Sequence, residues 1–166
     1  DTWVQSKLDM STRQGYIDTA FGLRIRTPVI AKSLMNTSKT PRIAESEARS
    51  VANALSGQAY GLLTNRAVNA FMEKVWNSPY RTDIMPISLI HDAIYLMVRD
   101  DVRVIEWVNN NLIKEMQWQG LPEIQHPQVH LEAELDLFYP SWGKPITLDN
   151  NLSQQQIKEA VMKAIT

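Results

Sequence analysis

Two apolar runs rich in β-branched and aromatic residues, Ile87 to Ile90 and Ala93 to Val98, flank a single polar pair, His91-Asp92. Each run has the length and composition of a strand. The spacing therefore predicts a buried hairpin with an acid at its tip. An ionised carboxylate buried between such runs is costly to desolvate unless a cation, a metal ion or several donors meet it. A plain turn is the ordinary alternative, because Asp is a common turn residue.

The pattern upstream is more helical. Residues 2–13 place Trp3, Val4, Leu8 and Met10 on one side of a weakly amphipathic helix that Gly15 stops. Tyr16 to Phe21 and Leu23 to Thr27 then alternate around Gly22, which predicts a short hairpin ended by Pro28. Residues 28–41, with their prolines, hydroxyl residues, Lys32 and Lys39, have no sustained period and read as an exposed basic loop. A helix from Ile43 through Ala52 meets Asn53 to Gly57, where the glycine suggests an interruption. A second, stronger helix follows, with Tyr60, Leu63, Ala67, Val68, Phe71, Met72 and Val75 as its core stripe.

Beyond the central hairpin, Asp100-Asp101 opens a helix whose apolar stripe is Val102, Ile105, Val108, Leu112 and Met116, ending near Gly120. Val129, Leu131, Ala133, Leu135 and Leu137 alternate with His130, Glu132, Glu134 and Asp136, a strand with one buried and one acidic face. Trp142 and Gly143 close the compact part, and Pro145 to Asn151 read as a linker. Ser153 and Gln156 then form a capping-box pattern before a short helix with Ile157, Val161 and Ile165 on one side. Short strands joined by hairpins and interleaved with long helices predict an α+β fold, with helices packed on an antiparallel sheet.

Composition changes this picture in three ways. At 166 residues and 44% hydrophobic content, one globular domain is the default. The absence of cysteine excludes a disulfide framework and thiolate metal sites and agrees with a reducing compartment. With no apolar run long enough to span a bilayer, the expectation is a cytoplasmic protein with no membrane partner. Net charge is −1, yet residues 1–81 carry eleven Lys/Arg against six Asp/Glu, and residues 82–166 carry six against twelve. A basic first half suits a polyanionic partner.

Candidate chemistry is sparse. The chain has three histidines, and the pair His126 and His130 is split by Pro127 and ends in a predicted strand, which argues against a helical zinc pair. No glycine-rich phosphate cradle of the Walker type and no nucleophile-elbow serine occur. Asp92 remains as the acid embedded in an apolar hairpin. Arg24 and Arg26, two apart in a predicted strand, share a face that suits phosphates, or equally protects an exposed strand from edge pairing.

Gly15-Tyr16-Ile17-Asp18-Thr19-Ala20-Phe21-Gly22 with Arg24 and Arg26, then Arg49-x-x-x-Asn53 with Gln58, then Ile90-His91-Asp92 in a hydrophobic hairpin, resemble family A DNA polymerases, bacteriophage members in particular. The likeness runs from about Trp3 to Trp142. It implies that residues 1–142 are the C-terminal part of the palm with the end of the fingers at its start, and that residues 143–166 are a linker and a C-terminal helix. It implies further that Asp92 binds two Mg²⁺ ions and that His91 contacts the primer terminus. Arg49, Asn53 and Gln58 would face the minor groove of the nascent duplex, with Arg24 and Arg26 along the primer backbone. Primer-template DNA and deoxynucleoside triphosphates would be the partners, in the host cytoplasm if the protein is phage-encoded.

The sequence departs from the family pattern in several places. Ala93 stands where a Glu usually follows the catalytic Asp, and Asn53 and Gln58 are five apart rather than four. The second metal-binding Asp and the fingers helix that grips the nucleotide do not occur before Trp3. The resemblance therefore implies a fragment or a split subunit, inactive alone and completed by the remainder of the polymerase, covalently or as a second chain. A non-catalytic nucleic-acid-binding module with the same surface is the alternative.

Overall fold

The computed structural model describes residues 2–165 and is α+β, with small antiparallel sheets packed on helices. The chain divides into two compact units at Leu62/Leu63.

In the first unit, α1 (Thr2–Gln14) leads into the hairpin β1 (Tyr16–Asp18) and β2 (Arg24–Arg26). Gly15 and Gly22 both have positive φ, 76° and 72°, as the expected breaks require. Ile17, Ile30, Val51 and Leu55 form this unit's core, with Leu8, Ile25 and Met35 against them. Trp3 and Met10, expected on the apolar side of α1, are exposed instead. The loop from Pro28 contains a short 3-10 turn, Ile30–Lys32, whose start is held by the Glu47 carboxylate. That carboxylate accepts from the backbone N–H groups of Val29 (3.0 Å) and Ile30 (2.7 Å).

The long helix α2 (Arg42–Trp76) corrects the expected interruption: it runs unbroken through Asn53 to Gly57. A glycine in a helix interior costs only about 1 kcal/mol relative to alanine. The buried residues at Val51 and Leu55 before it, and at Thr64, Ala67 and Val68 after it, hold the helix on both sides. No residue between Leu55 and Thr64 is buried, and that gap in the stripe is what resembled a break. Tyr60, expected in the core, is exposed.

The second unit is built on the C-terminal turns of α2, the hairpin β3 (Ile84–Ile90) and β4 (Ala93–Val98), and α3 (Val102–Met116). Val68, Phe71, Met72 and Val75 meet Ile84, Val104, Val108 and Leu112 in one core, with Ile94, Leu96 and Val98 against it. β4 is therefore half-buried rather than buried, and β3 is buried only at Ile84, its other six residues being exposed on both faces. Met85 and Met97, paired across the strands, are each 63% exposed. A two-stranded antiparallel sheet commonly leaves one face to solvent. Asp101 caps α3, its carboxylate accepting from the Arg103 N–H at 2.9 Å. The Arg103 guanidinium on the same group pulls its pKa down to about 2.

Two expectations in the C-terminal third are corrected. The strand read from Val129 begins only at Leu135, as β5 (Leu135–Phe138), and its partner is β6 (Pro145–Leu148), in the stretch read as a linker. The described part of this C-terminal stretch is not a separate appendage. Leu148 and Ile146 of β6 and Ile157 of α4 (Gln154–Ile165) pack with Ile105 in one core. The capping box forms as expected, with Ser153 N–H donating to Gln156 Oε1 (3.0 Å) and Gln156 N–H to Ser153 Oγ (3.4 Å). The side chain of Ile165, expected on the apolar side of this helix, lies outside the described residues. Among those residues no helix is long and apolar enough to cross a membrane.

Candidate functional site

His91 and Asp92 form the two-residue tip of the β3-β4 hairpin, closed by the pair Ile90 and Ala93. His91 has φ 55°, a left-handed conformation that the tight reversal demands of one of its residues. Both side chains are exposed. The burial expected for Asp92 is corrected by the same geometry: a tip projects beyond the helices that cover the strands, so its carboxylate stays hydrated. Among the described residues Asp92 has no ion-pair or hydrogen-bond partner, and the desolvation argument no longer asks for one. An accessible carboxylate without a partner is what a divalent cation needs from its ligand. Among the described residues no group of three or more His, Cys, Asp or Glu could hold a metal ion, so Asp92 supplies one ligand and no cage. Two Mg²⁺ ions do not fit these residues alone.

Arg24 and Arg26 do share a face, as their spacing predicts, and both are exposed. The register sets Asp18 opposite Arg24 and Tyr16 opposite Arg26, so the same face carries an acid and an aromatic ring. Arg24 Nε donates to Asp18 Oδ1 at 2.9 Å, and its guanidinium lies 3.7 Å over the Tyr16 ring. The hydrogen bond from Arg24 holds the Asp18 carboxyl below its ordinary range and in return raises Arg24. An exposed pair of this kind is weak, so a phosphate could displace Asp18.

Arg49 and Asn53 lie one turn apart on α2 and are both exposed. Gln58 does not join them. At about 100° per residue, five positions along an unbroken helix turn its side chain about 140° from Asn53, and Gly57 takes the place on their face. Arg24, Arg26, Arg49, Asn53 and Gln58 belong to the first unit, and His91 and Asp92 to the second.

Two features escaped the sequence reading. Glu115, largely buried, receives Arg66 Nη1 at 2.7 Å and Lys74 Nζ at 2.6 Å. Burial pushes the Glu115 carboxyl up, and the two cations, Lys74 foremost, more than reverse this and leave it below the ordinary range. The charges of Arg66 and Lys74 were visible as the polar side of the helix, but their common partner, some forty to fifty positions on, carried no local signal. The second feature is an aromatic stack in which Trp142 lies between Tyr95 (5.5 Å) and Phe138 (4.4 Å), beside a groove between β4 and residues 132–138. Among known proteins, no family model, no curated protein and no solved structure matches the chain.

Proposed function

We propose that residues 1–142 are the C-terminal part of a family A DNA polymerase palm with the end of the fingers at its start. In this reading the protein takes part in template-directed transfer of deoxynucleotides to a primer 3′-hydroxyl. The observation that supports it most is the His91-Asp92 tip. His91-Asp92, which resembles the family's His-Asp motif, stands on a two-residue turn between antiparallel strands, with a carboxylate that is exposed and, among the described residues, unpartnered. Asp92 would contribute one metal ligand and His91 a contact to the primer terminus. Arg49 and Asn53 would lie along the minor groove, where acceptors common to all base pairs permit a check of pair shape. Arg24 and Arg26 would neutralise backbone phosphates, and Gln58, turned away from Asn53, is the weakest member of the set.

Two-metal nucleotidyl transfer needs carboxylates from more than one strand. The reading therefore requires the remainder of the polymerase, joined covalently or as a second chain, with deoxynucleoside triphosphates as substrates and the cytoplasm as location. A non-catalytic nucleic-acid-binding module is the second reading, favoured by the single carboxylate at the tip and by Ala93 beside it.

The test is primer extension by the polypeptide completed with a segment bearing the second carboxylate. Asp92→Asn should lower its rate by at least about a hundredfold and leave affinity for primer-template nearly intact, because the lost interaction belongs to the transition state. A completed protein that binds primer-template but extends it at no Mg²⁺ concentration would leave the binding module in its place.

A further inference from the structure

A cavity of about 420 Å³ in the first unit lies between α1, the loop of residues 35–40 and the first turns of α2. Its size is within the range of small-molecule sites, about 300–1,000 Å³. α1 contributes Gln5, Leu8, Asp9 and Thr12, whose spacing puts them on one face of the helix, and α2 contributes Glu45 and Ala48. The floor is apolar: Leu8, Met35 and Ala48 pack on the core that contains Ile30, and all four line the cavity. The loop wall is held by its own hydrogen bonds. Thr40 Oγ1 donates to the Leu34 carbonyl at 2.9 Å and accepts from the Thr37 N–H at 3.0 Å, and Thr37 Oγ1 accepts from the Lys39 N–H at 3.2 Å.

Charge selects the ligand. Residues 1–62 hold eight Lys/Arg against five Asp/Glu, yet two of those acids and none of those cations line the cavity. Lys7 Nζ instead lies 5.9 Å from the centre of the Trp3 ring, and Lys39 stands between the lining residues Ser38 and Thr40 without lining the cavity itself. Among the described residues neither Asp9 nor Glu45 is in an ion pair, whereas Asp18 is paired with Arg24 and Glu47 is held by two backbone N–H groups. Asp9 accepts from the uncharged Gln5 amide at 2.9 Å. Among the described residues no three His, Cys, Asp or Glu are grouped for a metal ion, and a hard cation gains nothing from an apolar floor. An alkyl chain with an ammonium group at each end matches both features, because its methylenes bury on the floor and each ammonium donates to oxygen.

We propose that this cavity binds a linear aliphatic diamine or polyamine. Its methylene chain lies on Leu8, Ile30, Met35 and Ala48, with one ammonium group on Asp9 and another on Glu45. Thr12 Oγ1 gives its own hydrogen to the Asp9 carbonyl at 2.7 Å, so its lone pairs are left to accept from the ammonium beside Asp9. The inference rests on the cavity, its apolar floor and its two acids without a cation, and does not require the polymerase reading.

The probe is spermidine, titrated calorimetrically at about 0.15 M salt, where diffuse surface charge is largely screened, against the 166-residue chain freed of nucleic acid. It should bind once per chain with a Kd below about 1 mM, and at least about tenfold more tightly than n-butylamine, which has one ammonium group. Amide resonances of residues 5–12, 35–40 and 45–48 should shift on binding. Asp9→Asn and Glu45→Gln, at exposed positions whose loss leaves the fold intact, should each weaken binding about fivefold. Ala48→Leu, which fills part of the floor without changing charge, should weaken it about as much. Glu123→Gln removes an exposed acid of the second unit and should leave the affinity unchanged. Equal affinity for spermidine and n-butylamine, or an equal loss in Glu123→Gln, would reduce the effect to bulk charge and overturn the proposal. So would a titration that does not saturate, resonance shifts elsewhere, or displacement of spermidine by equimolar Mg²⁺, which would make the two acids a metal site.

Discussion

Phe71→Ala tests whether the second unit is held as its core implies. Phe71 is fully buried, and its neighbours Val75, Ile84, Val104 and Leu112 come from α2, β3 and α3. Its ring also meets Trp107 at 5.7 Å with planes tilted by 45°, an aromatic pair of the kind that contributes about 0.5–1.5 kcal/mol beyond area burial. Walls from three elements cannot all close on the space that the ring leaves, so the cost should fall in the full range for buried aromatic truncation, about 3–5 kcal/mol. Urea denaturation followed by far-ultraviolet circular dichroism measures it, and the midpoint should fall with an unchanged slope. Trp76→Ala on the same helix is the control. Trp76 is 64% exposed, and its removal should change stability by less than about 0.5 kcal/mol. A Phe71→Ala loss under about 1 kcal/mol, or one equal to that of Trp76→Ala, would refute the packing described for this unit.

Glu115→Gln should cost about 1–2 kcal/mol at neutral pH, less than a fully buried pair because Lys74 is partly solvated. The folded-state pKa of Glu115 is lowered, so its contribution is present above the ordinary carboxylate range and lost as pH falls through the folded value; wild-type and variant stabilities should converge in acid, and parallel curves would deny the linkage. Asp92→Asn should leave stability within about 0.5 kcal/mol, since the carboxylate is exposed and unpartnered; a loss above about 1 kcal/mol on urea unfolding would make Asp92 a structural turn residue. Gly57→Ala should stabilise by about 0.5–1 kcal/mol, because a Cβ there meets nothing within 4 Å and the helix is continuous; destabilisation would restore the break at that glycine.

The elements that sequence periodicity located well are those whose partners lie close along the chain. The stripe of α3 and the second half of the α2 stripe are buried largely where a 3.6-residue period puts them, and the two-residue spacing between apolar runs became the hairpin tip. What failed depended on a distant or a missing partner. The burial expected of β3 fails beyond Ile84, because an apolar strand records what could cover it, and its other six residues stay exposed on both faces. Pro145 to Leu148 carries little local pattern, being four residues that open on a proline, and is a strand through its register, Leu135 with Leu148.

The same distinction governs the candidate site. Arg24 and Arg26 were placed on one face by their own spacing, but the acid opposite Arg24 follows only from hairpin register. Gln58 was separated from Asn53 by a helix that did not break. Residues 129–137 alternate throughout, yet only the part opposite β6 is paired, because β6 is four residues long. Alternation therefore marks the ability to pair, and pairing itself needs a second strand. Where the chain's own strands run out, along β4 and the acidic stretch before β5, strand-competent edges stay outside any ladder among the described residues.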